Sequence, residues 1–410
     1  MVTLFPIVLI GCIASLLSNV LFSENGFLGS ILYINKWMPF RNVLRDIFSD
    51  ISTVSIGYIA TYAAYVSANL TVRRYKDGIP TAGLTALVAY LLIFQQSLRS
   101  SENVIDMRFY TANWFIFGLL VGYLVGKIFV RFGKHTGLND FNLNSAVILK
   151  STFANFRPIL ISLGAAFVIH LLFIAIRSFY IDTTITMGLS TILNNHSNYA
   201  MTLLISLVET VLSWLGFAES LRISNDMFSS EFFENLSYAL THRSIAHVPY
   251  PFTPAALYNG YGQFGGCGVA LALIIAILWV SHHRNSRSVA KASSLPVFFN
   301  SNMPLIFGAV VMLNPIYVLP FIFLPIVNML LASVLIMLHI LPAIVYMVPN
   351  GTPGILTPLI GTGGDFWAVL WSVMFLILDV ALYIPFVKLA DKCEDRVQAQ
   401  RKAGEQNEGN

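Results

Sequence analysis

Long apolar runs separated by short polar or basic stretches dominate the chain. They fall at Leu4–Phe22, Ile51–Leu70, Thr81–Phe94, Trp114–Val130, Ile159–Ile176, Ala200–Phe217, Gly266–Val280, Pro304–Leu313, Ile316–Met347 and Phe366–Phe386. A helix needs roughly 20 mostly apolar residues to cross the hydrocarbon core. The 410 residues therefore have room for about ten spans, and the pattern predicts an all-α polytopic membrane protein. The first run has no basic leader and no small-residue cleavage site, so it is expected to be a retained span.

Two stretches interrupt the apolar pattern with turn residues: Phe299-Asn300-Ser301-Asn302-Met303-Pro304 and Pro349-Asn350-Gly351-Thr352-Pro353-Gly354. Irregular backbone at membrane depth survives only where protein buries it or where it lines a polar cavity. Both are therefore expected to be tips of re-entrant hairpins that carry a substrate. Between Phe217 and Gly266 the pattern weakens, and Phe228, Phe232, Phe233 and Leu236 recur at roughly helical spacing, which suggests a surface helix or a linker between membrane halves.

Composition agrees with a lipid environment. Apolar residues make up 56% of the chain, charged residues 11%, and the mean hydropathy is +0.71, well outside the balance of a soluble domain. The net charge of +4 comes from short clusters such as Arg73-Arg74-Tyr75-Lys76 and His282-His283-Arg284 through Lys291. Such clusters mark cytoplasmic loops of membrane proteins, and nucleic-acid binding is not indicated. The charged tail from Lys388 to Lys402 is placed inside by the same rule, and the polar end from Gln400 to Asn410 is expected to be a frayed, solvated extension. Cys12, Cys267 and Cys393 have no CxxC spacing and are expected to pack as small apolar groups, so neither a disulfide framework nor a zinc site is predicted.

Several motifs in order are similar to one family. Gly265-Gly266-Cys267-Gly268 looks like a Gly-Gly-Ser/Thr-Gly segment, and Phe299-Asn300-Ser301-Asn302-Met303-Pro304-Leu305-Ile306-Phe307-Gly308 looks like Phe-Asn-Ile-Asn-Glu-Pro-Ile-Ile-Phe-Gly. Asn314-Pro315-Ile316-Tyr317, Thr352-Pro353, Thr362-Gly363-Gly364-Asp365, Tyr383-Ile384-Pro385-Phe386 and, upstream, Ser151-Thr152-Phe153-Ala154 with Pro158 continue the match. The chain thus resembles the membrane component, enzyme IIC, of the phosphoenolpyruvate-dependent sugar phosphotransferase system, in its lactose, cellobiose and diacetylchitobiose family.

The resemblance implies an N-terminal half (1–180) that forms a homodimer, a linking span and amphipathic segment (181–265), a sugar-holding C-terminal half (266–390) and a cytoplasmic tail (391–410). A small oligosaccharide would be carried across the cell membrane and phosphorylated by a cytoplasmic IIB partner. No cofactor is implied.

This sequence departs from the pattern at three places. The family's histidine segment after a Trp corresponds here to Trp214-Leu215-Gly216-Phe217-Ala218-Glu219-Ser220, without histidine. The Glu before Pro is Met303, whose thioether cannot take a proton. The stacking aromatic of Pro-Trp-Thr-Thr-Pro is absent from Pro349-Asn350-Gly351-Thr352-Pro353. The resemblance also implies an amphipathic helix before the segment matched by Leu4-Phe5-Pro6.

The candidate substrate-binding residues are Asn300, Asn302, Met303, Glu219 and Asn350. The two hairpin asparagines offer the amide donors and acceptors that a polyhydroxyl ligand needs, and Glu219 and Asn350 stand in for the missing partners. Glu209 is expected to be a structural carboxylate paired across helices, Asp379 a structural hydrogen-bonding group, and His170 and His339 satisfied core histidines. His242 and His247 lack a third ligand at metal spacing; together with Glu231 or Glu234 they are the sole acid/base candidates for a membrane-embedded transferase. Two further readings of the same fold stay open. One is a sugar carrier independent of phosphorylation, with Glu209 or Glu219 as a proton-coupling group. The other is a membrane receptor that does not transport.

Overall fold

A computed structural model describes residues 2–75, 81–95, 107–133, 153, 155–178, 199–217, 229–309 and 311–408. In chain order its helices are α1 (Phe5–Leu16), α2 (Phe27–Ile31), α3 (Ile34–Trp37), α4 (Arg41–Ser52), α5 (Ile59–Tyr75), α6 (Thr81–Phe94), α7 (Phe115–Phe132) and α8 (Phe156–Ser178). They continue as α9 (Tyr199–Leu215), α10 (Ser230–His242), α11 (Ala270–Val280), α12 (Arg284–Phe298), α13 (Met303–Gly308), α14 (Val318–Met337), α15 (Thr357–Gly361) and α16 (Phe366–Glu408). Among the described residues there is no strand, only an isolated parallel bridge between Gly26 and Asn350. The expected all-α class is what the chain forms.

Five helical stretches among the described residues are long and apolar enough to cross a membrane: Val2–Leu21, Ala112–Phe132, Phe156–Ala175, Val318–Met337 and Phe366–Gln400. Their outward faces are mainly apolar, with exposed charges gathered at the ends, such as Arg131 in α7 and Lys388 onward in α16. Helix α8 exposes Leu160, Phe167, Val168 and Leu172, and the start of α16 exposes Phe366 and Trp367. Apolar patches of this extent do not persist in water. Lipid is the solvent they fit.

Packing divides the chain into two compact units, Met1–Ser52 with Leu193–Asn410, and Thr53–Ile192. In the Thr53–Ile192 unit, α5 and α7 approach so closely that Gly118 and Gly122 meet the backbone oxygens of Ala60 and Ala64, with Gly126 against Ala68 and Thr71. This is small-residue packing, which replaces the hydrophobic drive that helices lack in lipid. Ser67 Oγ donates to the carbonyl of Leu119 across the same contact (2.8 Å). A cluster of Phe94, Phe109, Trp114 and Phe173 rings closes the unit, and His170 Nδ1 lies 3.0 Å from the Ile93 carbonyl, a satisfied core histidine.

The other unit joins the first 52 residues to everything after Leu193. Helix α1 packs on α13, α12 and α4, so Met1–Ser52 groups with the hairpins rather than with residues 53–180. Inside it, Asn328 Nδ2 donates to Asp379 Oδ2 (2.8 Å) between α14 and α16, both side chains fully buried, as expected of a structural Asp379.

Several sequence expectations need correction here. The apolar run 304–313 holds only the six-residue helix Met303–Gly308, which ends at a glycine, and Leu313 beyond it takes a left-handed φ of +58°, so the run does not continue as a span. The run 316–347 is helical only to Met337, and Leu341 to Pro349 continues without regular structure. The basic stretch from Arg284 is no loop but the first turns of α12. The end expected to fray from Gln400 continues α16 as helix through Glu408. His339 is exposed, packed edge-on against His247 with ring centroids 4.8 Å apart, and not in the core.

Candidate functional site

The site begins with three glycines. Gly265, Gly266 and Gly268 all have positive φ, +78°, +92° and +73°, which lets the chain turn sharply into α11. At Gly268 two constraints coincide, since an added Cβ would lie 2.2 Å from the ring of Phe321, itself 2% exposed. Its carbonyl accepts the hydroxyl of the buried Tyr383 (2.5 Å). Gly268→Ala is expected to cost about 2 kcal/mol of stability, from the left-handed backbone and the overpacked ring together. A melting curve of the purified protein checks this, and an unchanged transition would remove the argument.

The two irregular stretches meet above this turn. Helices α12 and α13 form a hairpin whose tip is 299–302, and Asn300 sits there in the left-handed region (φ +65°). Its Oδ1 accepts from Gly265 N (3.1 Å) and its Nδ2 donates to the Thr352 carbonyl (2.7 Å). One amide thus ties the glycine turn to the second tip. Asn302 Nδ2 donates to the Cys267 carbonyl (3.0 Å). Asn350 holds the second tip from the other side: its N–H donates to Asn25 O (2.8 Å) and its carbonyl accepts from Phe27 N (2.9 Å).

Between these elements lies a cavity of about 220 Å3. Asn300, Asn302, Met303 and Asn350, four of the five residues singled out in the sequence, all line it. Glu219 lies outside the described residues. The other lining residues include Glu209 and Ser213 from α9, Tyr258 and Asn259 from the π-helical turn Ala255–Gly262, and Gln263. Wide turns of this kind recur at functional sites. Cys267, expected as an apolar packer, instead lines this polar cavity with the Tyr258 hydroxyl 3.4 Å from its sulfur.

Glu209 is the residue that sequence reasoning placed elsewhere. It is 5% exposed and lines the cavity with Met303. The signal was present in the sequence. Thr202, Ser206, Glu209 and Ser213 are spaced four, three and four apart, a polar stripe along one face of an otherwise apolar helix, and all four are buried. Taken singly Glu209 is a mid-span oddity, whereas the stripe marks a face turned toward polar surroundings.

Similarity to known proteins bears on this geometry. The profile of the family described as "Phosphotransferase system, EIIC" matches residues 1–325. The lactose-specific EIICB component of Staphylococcus epidermidis is 34% identical over 128 residues, 31% of this chain and 22% of that protein. The corresponding protein of Staphylococcus aureus is 31% identical over the same length. These matches thus span about a fifth of the relatives' own length. A crystal structure of the IIC component of the N,N'-diacetylchitobiose-specific phosphotransferase system aligns over 97% of this chain and 93% of its own, at 17% identity and a TM-score of 0.45, a likeness too low to argue from. With the family profile covering more than three quarters of the residues, and with apolar helices that fit a bilayer, this chain belongs to the EIIC family, the membrane-embedded sugar transporters of the phosphotransferase system.

Proposed function

We propose that this chain is a permease that takes a small oligosaccharide, a disaccharide of the lactose class, into the cavity between the two hairpin tips and presents it to a cytoplasmic IIB partner. The observation that carries the reading is the lining of that cavity. Amides from Asn259, Gln263, Asn302 and Asn350 surround one carboxylate, Glu209, an arrangement matched to a ligand made of hydroxyls. At about 220 Å3 the volume is slightly under the ~300–1,000 Å3 usual for small-molecule sites, so it seats one ring and leaves the second toward the opening. The lactose-specific names of the matched relatives motivate the disaccharide, and their designation as EIICB components motivates the IIB partner.

In this reading Asn302 and Asn350 bond the sugar directly. Asn300 has one N–H and one lone pair left after its two backbone bonds, and acts mainly by holding the tips together. Met303 supplies an apolar contact for a ring face, Glu219 remains a proposed ligand, and Glu209 supplies the carboxylate that the hairpin lacks. The homodimer through the N-terminal half and the cytoplasmic tail are part of the same proposal, the tail supported by its Lys388 to Lys402 charges.

A second reading is favoured by Met303 itself. With a thioether where a proton acceptor is expected, the chain serves as a carrier independent of phosphorylation, with Glu209 as its coupling group.

Uptake of labelled lactose and related disaccharides, with the general phosphotransferase proteins present and then deleted, separates the two. Sugar phosphate that disappears on deletion supports the first reading. Unmodified sugar in both strains supports the second. No uptake in either strain sinks both in favour of a receptor.

A further inference from the structure

The stretch His282-His283, which in sequence looks like part of a basic cluster, meets three carboxylates from a segment more than a hundred residues away. The turn between α11 and α12 brings it against α16. There His282 Nε2 lies 3.4 Å from Asp395 Oδ2, and His283 Nε2 lies 3.2 Å from Asp395 Oδ1. The ligand atoms of these three residues all fall within 4.8 Å of one another. A tetrahedral ion with bonds of 2.0–2.1 Å sets its ligands about 3.3 Å apart, and the Asp395 carboxylate lies at that spacing from both rings, through Oδ2 to His282 and through Oδ1 to His283.

The His282 ring is also backed as metal-bound imidazoles usually are, and for His283 a carboxylate stands within one rotamer shift of doing the same. His282 Nδ1 faces Asp391 Oδ2 at 3.1 Å, and His283 Nδ1 faces Glu394 Oε1 at 3.9 Å. A carboxylate on the far nitrogen fixes the tautomer and leaves Nε2 to bind. Asp391 is itself held, its Oδ1 accepting from Ser281 Oγ (2.9 Å) and its Oδ2 from the His282 N–H (3.1 Å). The alternative use of His283 Nε2 is a hydrogen bond to the Asp391 carbonyl oxygen, 3.3 Å away. In that case the cluster is an ion-paired latch without metal.

We propose that His282, His283 and Asp395 form a site for a single divalent ion of the zinc class, with Asp391 and Glu394 as its supporting carboxylates and water in the fourth position. The ion pins α16 to the turn that starts α12, the first arm of the hairpin that carries Asn300. It is structural, and its existence is independent of which sugar the cavity takes.

The test uses the full chain purified in detergent through a tag without histidine, stripped with a chelator and titrated with Zn2+ by calorimetry and with Co2+ by visible absorption. The expected result is one ion per chain, a tetrahedral Co2+ spectrum, and a melting temperature raised by Zn2+. His283→Ala and Asp395→Asn should abolish the spectrum. Glu394→Gln should weaken affinity about 10-fold, as loss of a supporting partner does. His247→Ala combined with His339→Ala, which removes the other exposed histidine pair, should leave binding unchanged. Because Asp395 is half exposed, its asparagine variant keeps the fold intact and guards against a merely unfolded result. Absence of stoichiometric binding, or binding that survives both His283→Ala and Asp395→Asn, would overturn the proposal in favour of the latch.

Discussion

Replacing Glu209 by glutamine is expected to lower disaccharide uptake roughly 10²–10⁴-fold, the range lost when a positioned acid or base is removed, while the protein still folds and inserts. Glutamine keeps the shape and removes the titratable group. The size of the effect follows from the setting. Glu209 lines a cavity among amides and a thioether, and no other carboxylate lines that cavity among the described residues. A carboxyl group in an apolar helix is costly to ionise, and it offers a titratable proton that an amide does not. The measurement is initial uptake rate beside equilibrium binding of unmodified sugar. If binding persists and the rate collapses, Glu209 acts on the reacting hydroxyl or on a coupled proton. If both collapse together, it is a sugar ligand. If neither changes, Glu209 is a helix-packing group, as its sequence position first suggests, and the proposed site loses its chemistry.

The cavity tells what was legible beforehand and what was not. The hairpin tips were visible because proline, asparagine and glycine punctuate them, and local turn chemistry is written locally. Asn300, Asn302, Met303 and Asn350 fall in one cavity for that reason. What the sequence hid was how the tips are held. The bonds from Asn300 to Gly265 and Thr352 join positions 35 and 52 residues apart, and no periodicity reports such distances. The same blindness explains His282 and His283, whose acidic partners follow more than a hundred residues later, so the pair counted only as positive charge. Helix ends were also misjudged where apolar composition outran helical geometry, as at Leu338 to Pro349, where residues pack buried without a helix: Leu341, Ala343, Ile344 and Val345 are core residues in irregular backbone. Hydropathy reports burial in lipid or in protein alike, and does not say which.

Gly122→Leu is expected to be the most damaging single change outside the cavity, lowering stability by about 4 kcal/mol or more, beyond the usual range for overpacking. The obstacle is backbone. A Cβ at Gly122 would lie 2.2 Å from the Ala64 carbonyl oxygen and 2.8 Å from Ser67 Cβ, and Gly118 stands in the same relation to Ala60. A carbonyl inside a helix has no rotamer to change, so α5 and α7 must separate, which also breaks the Ser67 to Leu119 hydrogen bond. Alanine scanning makes the argument sharper, because two effects of opposite sign compete. Helix propensity favours Ala over Gly by roughly 0.8–1 kcal/mol. At Gly164 in α8, where an added Cβ meets nothing within 4 Å, propensity has no opponent and Gly164→Ala should raise the melting temperature slightly. At Gly122 the clash outweighs it, and Gly122→Ala should lower the melting temperature while Gly122→Leu prevents recovery of folded protein. Thermal unfolding of the two alanine variants in detergent, beside the yield of folded Gly122→Leu, decides the matter. Equal behaviour of Gly122→Ala and Gly164→Ala would mean that the close contact of α5 and α7 does not hold the unit together.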